Sequence, residues 1–192
     1  SGELHDQSEL PALAQYAHGR QVTVLANSAD VRLYRHTMAT KPTRQLIKAL
    51  PFMLEDELAQ DIDRLFFALA DTGFDKHTQQ HWINIAIVDK AMVKHWVEAL
   101  AEAGMNVKKI VPEILCLPYE ESDNQVVSCI EFAKGWLFRT GAWSGAFVER
   151  EWLDMYLQQW LSNTLSKNSK DEATAVEIQY FSALEYDVSE RL

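Results

Sequence analysis

Two rhythms of apolar and polar residues organise this chain. From Arg44 to Asp63, Leu46, Leu50, Met53, Leu54 and Leu58 recur at helical spacing and make one apolar stripe. Pro51 stands inside that stripe, where it removes a backbone donor and crowds the preceding turn, so the pattern predicts a kinked or broken helix. On this register Leu50, Leu54, Leu58 and Phe67 are expected in the core, and Glu55 and Glu57 at the surface, because an unpaired buried carboxylate is costly. Short β-branched or apolar runs supply the second rhythm. Gln21 to Ala26 and Val31 to Met38 predict two strands joined as a hairpin or meander by the polar Asn27-Ser28-Ala29-Asp30. Leu65 to Ala70 is apolar on both alternating faces and predicts an internal strand, with a turn over Asp71 to Lys76.

Trp82 to Val88 predicts another strand, and Asp89 can cap a helix carrying Met92, Val93, Trp96, Val97 and Leu100 on one face until Gly104. Val107 to Val111 then completes a strand–helix–strand unit of the kind that crosses over onto one sheet. Near the start, Ser8 is the expected N-cap of a helix with Leu10, Leu13, Ala14 and Ala17 on one side, ended by Gly19. Glu120 to Asn124 is a polar hinge, which divides the chain into lobes 1–120 and 121–192. Beyond it, Val126 to Phe132 and Trp136 to Thr140 read as a hairpin, followed by a strand at Gly145 to Glu149. Glu151 to Leu165 predicts a helix with Trp152, Met155, Tyr156, Gln159 and Trp160 near one face. A polar loop over Ser162 to Thr174 and a strand at Val176 to Phe181 follow. Strands mixed with helices make the class α/β, or mixed α+β, in two lobes.

The central stretch also carries a specific resemblance. Arg44-Gln45, then Leu50-Pro51-Phe52, Leu54-Glu55-Asp56-Glu57, Ala59 and Asp61 resemble the type II secretion system L proteins, in their cytoplasmic domain. The likeness continues through Gly104 to Pro118 and weakens after Trp160. It implies an actin-like (RNase H-like) fold of two lobes with mixed sheets and no nucleotide chemistry. It further implies a platform at the cytoplasmic face of the bacterial inner membrane that holds the N-terminal domain of the secretion ATPase. The M protein would be met through membrane and periplasmic parts beyond Leu192, and a homodimer is left open. Folds of this kind begin with a long hairpin, whereas this sequence opens with Ser1-Gly2-Glu3-Leu4 where that hairpin should be ending. Either the first strands are absent or the start is misaligned.

Charge narrows the partners. Across 192 residues, 28 acids against 18 Lys and Arg leave a formal net charge of −10. That balance disfavours nucleic acid and anionic lipid and would steer towards a basic protein surface. Hydrophobic content of 47% is that of a folded protein and argues against general disorder. Cys116 and Cys129 form no paired motif, which predicts buried free thiols, and no apolar run approaches the roughly 20 residues a membrane helix needs. The chain is therefore expected to be soluble.

Candidate chemistry is sparse. His77 and His81 are four apart, but a turn followed by a strand would spoil that spacing for a metal. Gly141-Ala142-Trp143-Ser144-Gly145 resembles a nucleophile elbow with its serine one position late. Phosphate binding needs closely spaced glycines, and the relevant turn, Ile130 to Gly135, has one. Neither a cofactor nor a metal is expected, and an actin-like enzyme that binds or hydrolyses ATP is the alternative reading. Two surfaces could meet a partner. One is the acidic set Glu55, Asp56, Glu57 and Asp61. The other is the second-lobe helix start, where Glu149, Glu151, Trp152, Asp154 and Tyr156 mix acids with aromatics. Desolvated aromatics anchor interfaces while rim charges steer, so the second is expected to anchor and the first to steer.

Overall fold

The computed structural model describes residues 7–121, 125–132, 134–167 and 176–181. They fall into two compact units: Ser1–Ala26 with Asp30–Val111, and Asn27–Ala29 with Pro112–Leu192. The expected hinge, Glu120 to Asn124, lies mostly outside the described residues, as does the Ser1 to Leu4 opening.

The first unit contains α1 (Leu10–Ala17), β1 (Val22–Ala26), β2 (Arg32–Met38), α2 (Arg44–Met53), β3 (Leu65–Asp75), β4 (Gln80–Asp89), α3 (Lys90–Glu102) and β5 (Val107–Pro112). Its three-stranded sheet runs β2-β4-β3, with both pairings antiparallel. The Trp82–Val88 run is central because it has no face to show water: Ile83 to Val88 are all buried. Ile83, Ile85 and Ile87 point to one face, where they pack with Leu50, Leu54, Leu65 and Met38, surrounded by Tyr34, Leu46, Ile47, Leu58 and Phe67.

α2 explains that packing. Thr43 caps it by accepting from the Leu46 amide at 3.2 Å, and the helix ends at Met53, two residues past Pro51. Leu54 closes the end by donating to the carbonyls of Leu50 and Pro51. Single 3-10 turns at Glu55–Glu57 and Ile62–Arg64 then carry the chain to β3. The helix is thus broken rather than bent. Leu50 and Leu54 are 1% and 0% exposed, Leu58 and Phe67 are half-buried against the same core, and Glu55 and Glu57 are exposed.

Several expectations are corrected. β3 is an edge strand, not an internal one, with Phe66 and Leu69 exposed on its two faces. It also continues through a register shift between Leu69 and Thr72 to Asp75, so the reversal falls at 76–79 rather than at Asp71 to Lys76. Asp75 drives that turn by accepting from the His77 and Thr78 amides at 2.8 and 3.3 Å. β1 makes no hairpin with β2 but pairs with β5. The unit β4-α3-β5 therefore does not return to its own sheet, because β2 and β3 already occupy both edges of β4. Ser8 is not an N-cap: it lies in the 3-10 turn Gln7–Glu9, and Glu9 precedes α1 without a side-chain cap bond. Asp89 does cap α3, accepting from the Ala91 amide at 2.7 Å, and Gly104 ends that helix at φ +76°, where a Cβ would be strained.

The second unit contains β6 (Gln125–Phe132), β7 (Gly135–Gly141), β8 (Ser144–Glu149), α4 (Leu153–Lys167) and β9 (Val176–Phe181). The strand order is β8-β7-β6-β9, with β6-β7 and β7-β8 antiparallel and β9 parallel to β6. Val127, Cys129, Phe138 and Val148 form its core, covered by Leu153, Tyr156, Leu157 and Trp160 of α4. That row, at spacings of three and four, corrects the expected face of the helix: Trp152 and Met155 are 52% and 55% exposed. α4 also runs to Lys167, so the first part of the expected polar loop is helical, and residues 168–175 lie outside the described ones.

Candidate functional site

The second-unit surface is built where β8 gives way to α4 through a 3-10 turn, Arg150–Trp152. Two bonds hold this junction. Arg150 Nη2 meets Glu131 Oε1 at 2.6 Å, and the Arg150 amide donates to the Lys134 carbonyl at 3.3 Å. With the turn pinned, the offset of about a third of a turn between Trp152 and the half-buried Leu153 sends the indole outward. Glu149, Glu151 and Asp154 are exposed around it, and Met155, one helical turn on, extends the apolar surface. Tyr156 goes the other way. Its ring lies 5.4 Å from that of Phe138, and burial raises the pKa of its phenol. Of the residues singled out from sequence, Glu149, Glu151, Trp152 and Asp154 share the α4 start as surface groups, and Tyr156 supports them from the core side.

In the first unit Glu55, Asp56, Glu57 and Asp61 are all exposed. Two of them also have structural tasks. Tyr34 donates its hydroxyl to Glu57 Oε2, and Asp61 accepts from the Asp63 amide at 2.9 Å, starting the second 3-10 turn. Arg32 Nη1 reaches the Glu57 carbonyl at 3.3 Å. Burial, then the bond to Glu57, raises the Tyr34 pKa. Sequence reasoning missed the apolar part of this surface: Phe52 is 70% exposed and Met53, assigned to the buried stripe, is 44% exposed. The available signal was the helix period itself, since positions 50 and 54 share a face that 52 cannot join.

The remaining candidates acquire ordinary surroundings. His81 packs its ring 4.8 Å from Phe74 on β4, and His77 sits in the turn stabilised by Asp75. Among the described residues, no group of three or more His, Cys, Asp or Glu is arranged to hold a metal. Cys116 and Cys129 are buried and form no disulfide among the described residues, and burial raises the pKa of Cys129. Ser144 Oγ lies 3.2 Å from Thr140 Oγ1 in the β7-β8 turn. At Gly135, a Cβ would stand 2.2 Å from the Val148 carbonyl oxygen and 2.9 Å from Glu149 Cα, so β8 backbone closes over the turn where phosphate would need access. Ala133 of that turn is outside the described residues. No described helix is long and apolar enough to cross a membrane.

The described chain is built of two mixed α/β units that carry exposed aromatic and acidic surfaces. It belongs to the type II secretion system protein L family, whose profile it matches over residues 1–189. Protein L of Dickeya chrysanthemi is 34% identical over 134 residues, covering 70% of this chain and 31% of that protein. Protein L of Klebsiella pneumoniae is 29% identical over 160 residues, covering 83% of this chain and 38% of the relative. The chain thus spans about a third of the length of these relatives. Among solved structures, it is similar to the cytoplasmic domain of Epsl, an inner membrane component of the type II secretion system of Vibrio cholerae. The TM-score is 0.73 at 24% identity, with 94% of this chain and 70% of that one covered. The PilM-PilN type IV pilus biogenesis complex shares the fold at a TM-score of 0.59 and 14% identity, covering 95% of this chain and 71% of that one.

Proposed function

We propose that this chain is a non-catalytic scaffold at the cytoplasmic face of the bacterial inner membrane, recruiting the secretion ATPase by that enzyme's N-terminal domain. Family membership supports the general role, and the M protein and a second L subunit are further partners on this reading. The observation that carries the docking assignment is Trp152, 52% exposed among Glu149, Glu151 and Asp154. An exposed indole bounded by carboxylates offers an apolar anchor with an acidic rim, suited to a pocket edged by Lys or Arg. Glu55, Glu57 and Asp61 would add long-range steering of the same basic partner.

The test measures capture of the cognate ATPase's N-terminal domain by this chain. Glu151→Lys with Asp154→Lys should weaken capture by about tenfold or more while leaving the melting temperature intact. Glu55→Lys with Glu57→Lys should act mainly on the association rate, and less so as salt shortens the screening length to about 10 Å at 0.1 M. If both pairs leave affinity and rate unchanged, neither surface docks the ATPase. Calorimetry with millimolar Mg-ATP should show no heat above dilution, and micromolar binding would favour the ATP-dependent reading instead.

A further inference from the structure

Steering does not account for everything on the first-unit surface. Phe52 is among the most exposed large apolar residues described, and Met53 stands beside it, yet both belong to a helix whose other face is locked by Leu50 and Leu54 at 1% and 0% exposure. Their outward orientation is therefore fixed, and water contact with the Phe52 ring costs free energy at all times. The charges around them are arranged against the helix dipole. Arg44 and Lys48 are exposed on the N-terminal half of α2, in line with Phe52 at steps of four. Glu55, Asp56 and Glu57 follow its C-terminal end, which has no basic residue in its last turn. Cations are favoured at a helix C-terminus and anions at its N-terminus, so both ends of α2 carry the disfavoured sign. Among the described residues Glu55 and Asp56 make no ion pair, and Glu57 is held by Tyr34 and Arg32.

We propose that this strip, from Lys48 through Phe52 and Met53 to Glu55 and Asp56, is a second docking surface, for a cationic amphipathic helix of a partner protein. Such a helix would seat an aliphatic side chain on Phe52 and place its Lys or Arg residues against Glu55, Asp56 and the α2 carbonyl end. Both sources of unfavourable energy would be relieved together. A second copy of this chain fits worse, because it brings the same three acids and a net charge of −10 to a like surface. The assignment is independent of where the ATPase domain binds, since it rests on α2 and not on α4.

The probe is a helical Leu/Lys peptide of about 16 residues, with leucines on one face and lysines on the other, titrated by fluorescence anisotropy. Phe52→Ser and Glu55→Lys should each weaken its binding about tenfold, whereas Glu98→Lys, the same charge change at an exposed site on α3, should change it less than about twofold. Amide shifts in the wild-type complex should centre on 52–57. Unaltered binding by Phe52→Ser, or equal losses for Glu55→Lys and Glu98→Lys, would reduce the effect to general charge attraction and overturn the proposal. So would concentration-dependent self-association that Phe52→Ser abolishes, because the occupant would then be a second copy. Unchanged thermal melts for both variants keep a folding defect from standing in for lost binding.

Discussion

Replacing Arg139 tests the packing of the second unit most sharply. This side chain starts on β7, turns its guanidinium to four backbone carbonyls and lies 5.3 Å from the centre of the Tyr119 ring. Nη1 donates to Leu115 O at 2.8 Å and Leu117 O at 2.5 Å, Nη2 to Ala142 O at 3.1 Å, and Nε to Gly141 O at 3.2 Å. The first two bonds tie β7 to the segment that enters the unit, and the last two brace the β7-β8 turn. Leu117 is buried and Leu115 half-buried, so in Arg139→Met their carbonyls lose a charged donor where water has poor access. Gly141 and Ala142 are more open and recover solvent. Two orphaned acceptors at about 1–3 kcal/mol each, softened by partial hydration, give a loss of roughly 2–4 kcal/mol. For a chain of this size that lowers Tm by roughly 2–4 °C for each kcal/mol. Urea unfolding followed by tryptophan fluorescence, alongside a thermal melt, measures both. Arg139→Lys should recover only part of the loss, because one ammonium group cannot span four carbonyls. A loss below about 1 kcal/mol for Arg139→Met would refute the clasp and mean that the segment is held by its apolar contacts alone.

Gly145→Ala should be more damaging than most surface changes. The added Cβ would lie 2.1 Å from the Phe138 carbonyl oxygen, and backbone in a paired strand cannot step aside as a side chain would. Expression with a cooperative melt within about 1 °C of wild type would contradict that geometry. In alkaline solution Tyr34 and Tyr156 should both ionise above the normal range, Tyr156 through burial and Tyr34 through burial and then its bond to Glu57. A raised folded-state pKa means a stabilising contribution that is complete below the unfolded value, about 10, and is lost as pH rises through the folded one. Absorbance titration at alkaline pH should therefore show Tyr34→Phe and Tyr156→Phe each removing a late-titrating group. Removal of an early one would reverse the assignment.

Local pattern determined the kinds of element here because period is a local property. The alternation and apolar run at Trp82 to Val88, the cap at Asp89, the hairpin β6-β7 and the break after Pro51 all depend on residues within a turn or two of each other. The motif around Leu50-Pro51-Phe52 also carried the family. Pairing and exposure could not be read this way. Leu65 to Ala70 is as apolar as an internal strand, yet it became an edge because Trp82–Val88 took the centre of the sheet and β2 the other side. At α4, Trp152 and Tyr156 both fit an aromatic stripe. Only the position of the β6-β7-β8 sheet decides that Tyr156 faces Phe138 while Trp152 faces solvent. The turn at Asn27–Ala29 shows the limit most plainly. The Ser28 amide donates to Glu113 Oε1 at 3.0 Å, and Ser28 Oγ accepts from the Ile114 amide at 3.1 Å, so residues 27–29 belong to the second unit although β1 and β2 on either side belong to the first. Contacts across some 85 positions leave no trace in a local period, because they are selected by the packed fold and not by the neighbouring residues.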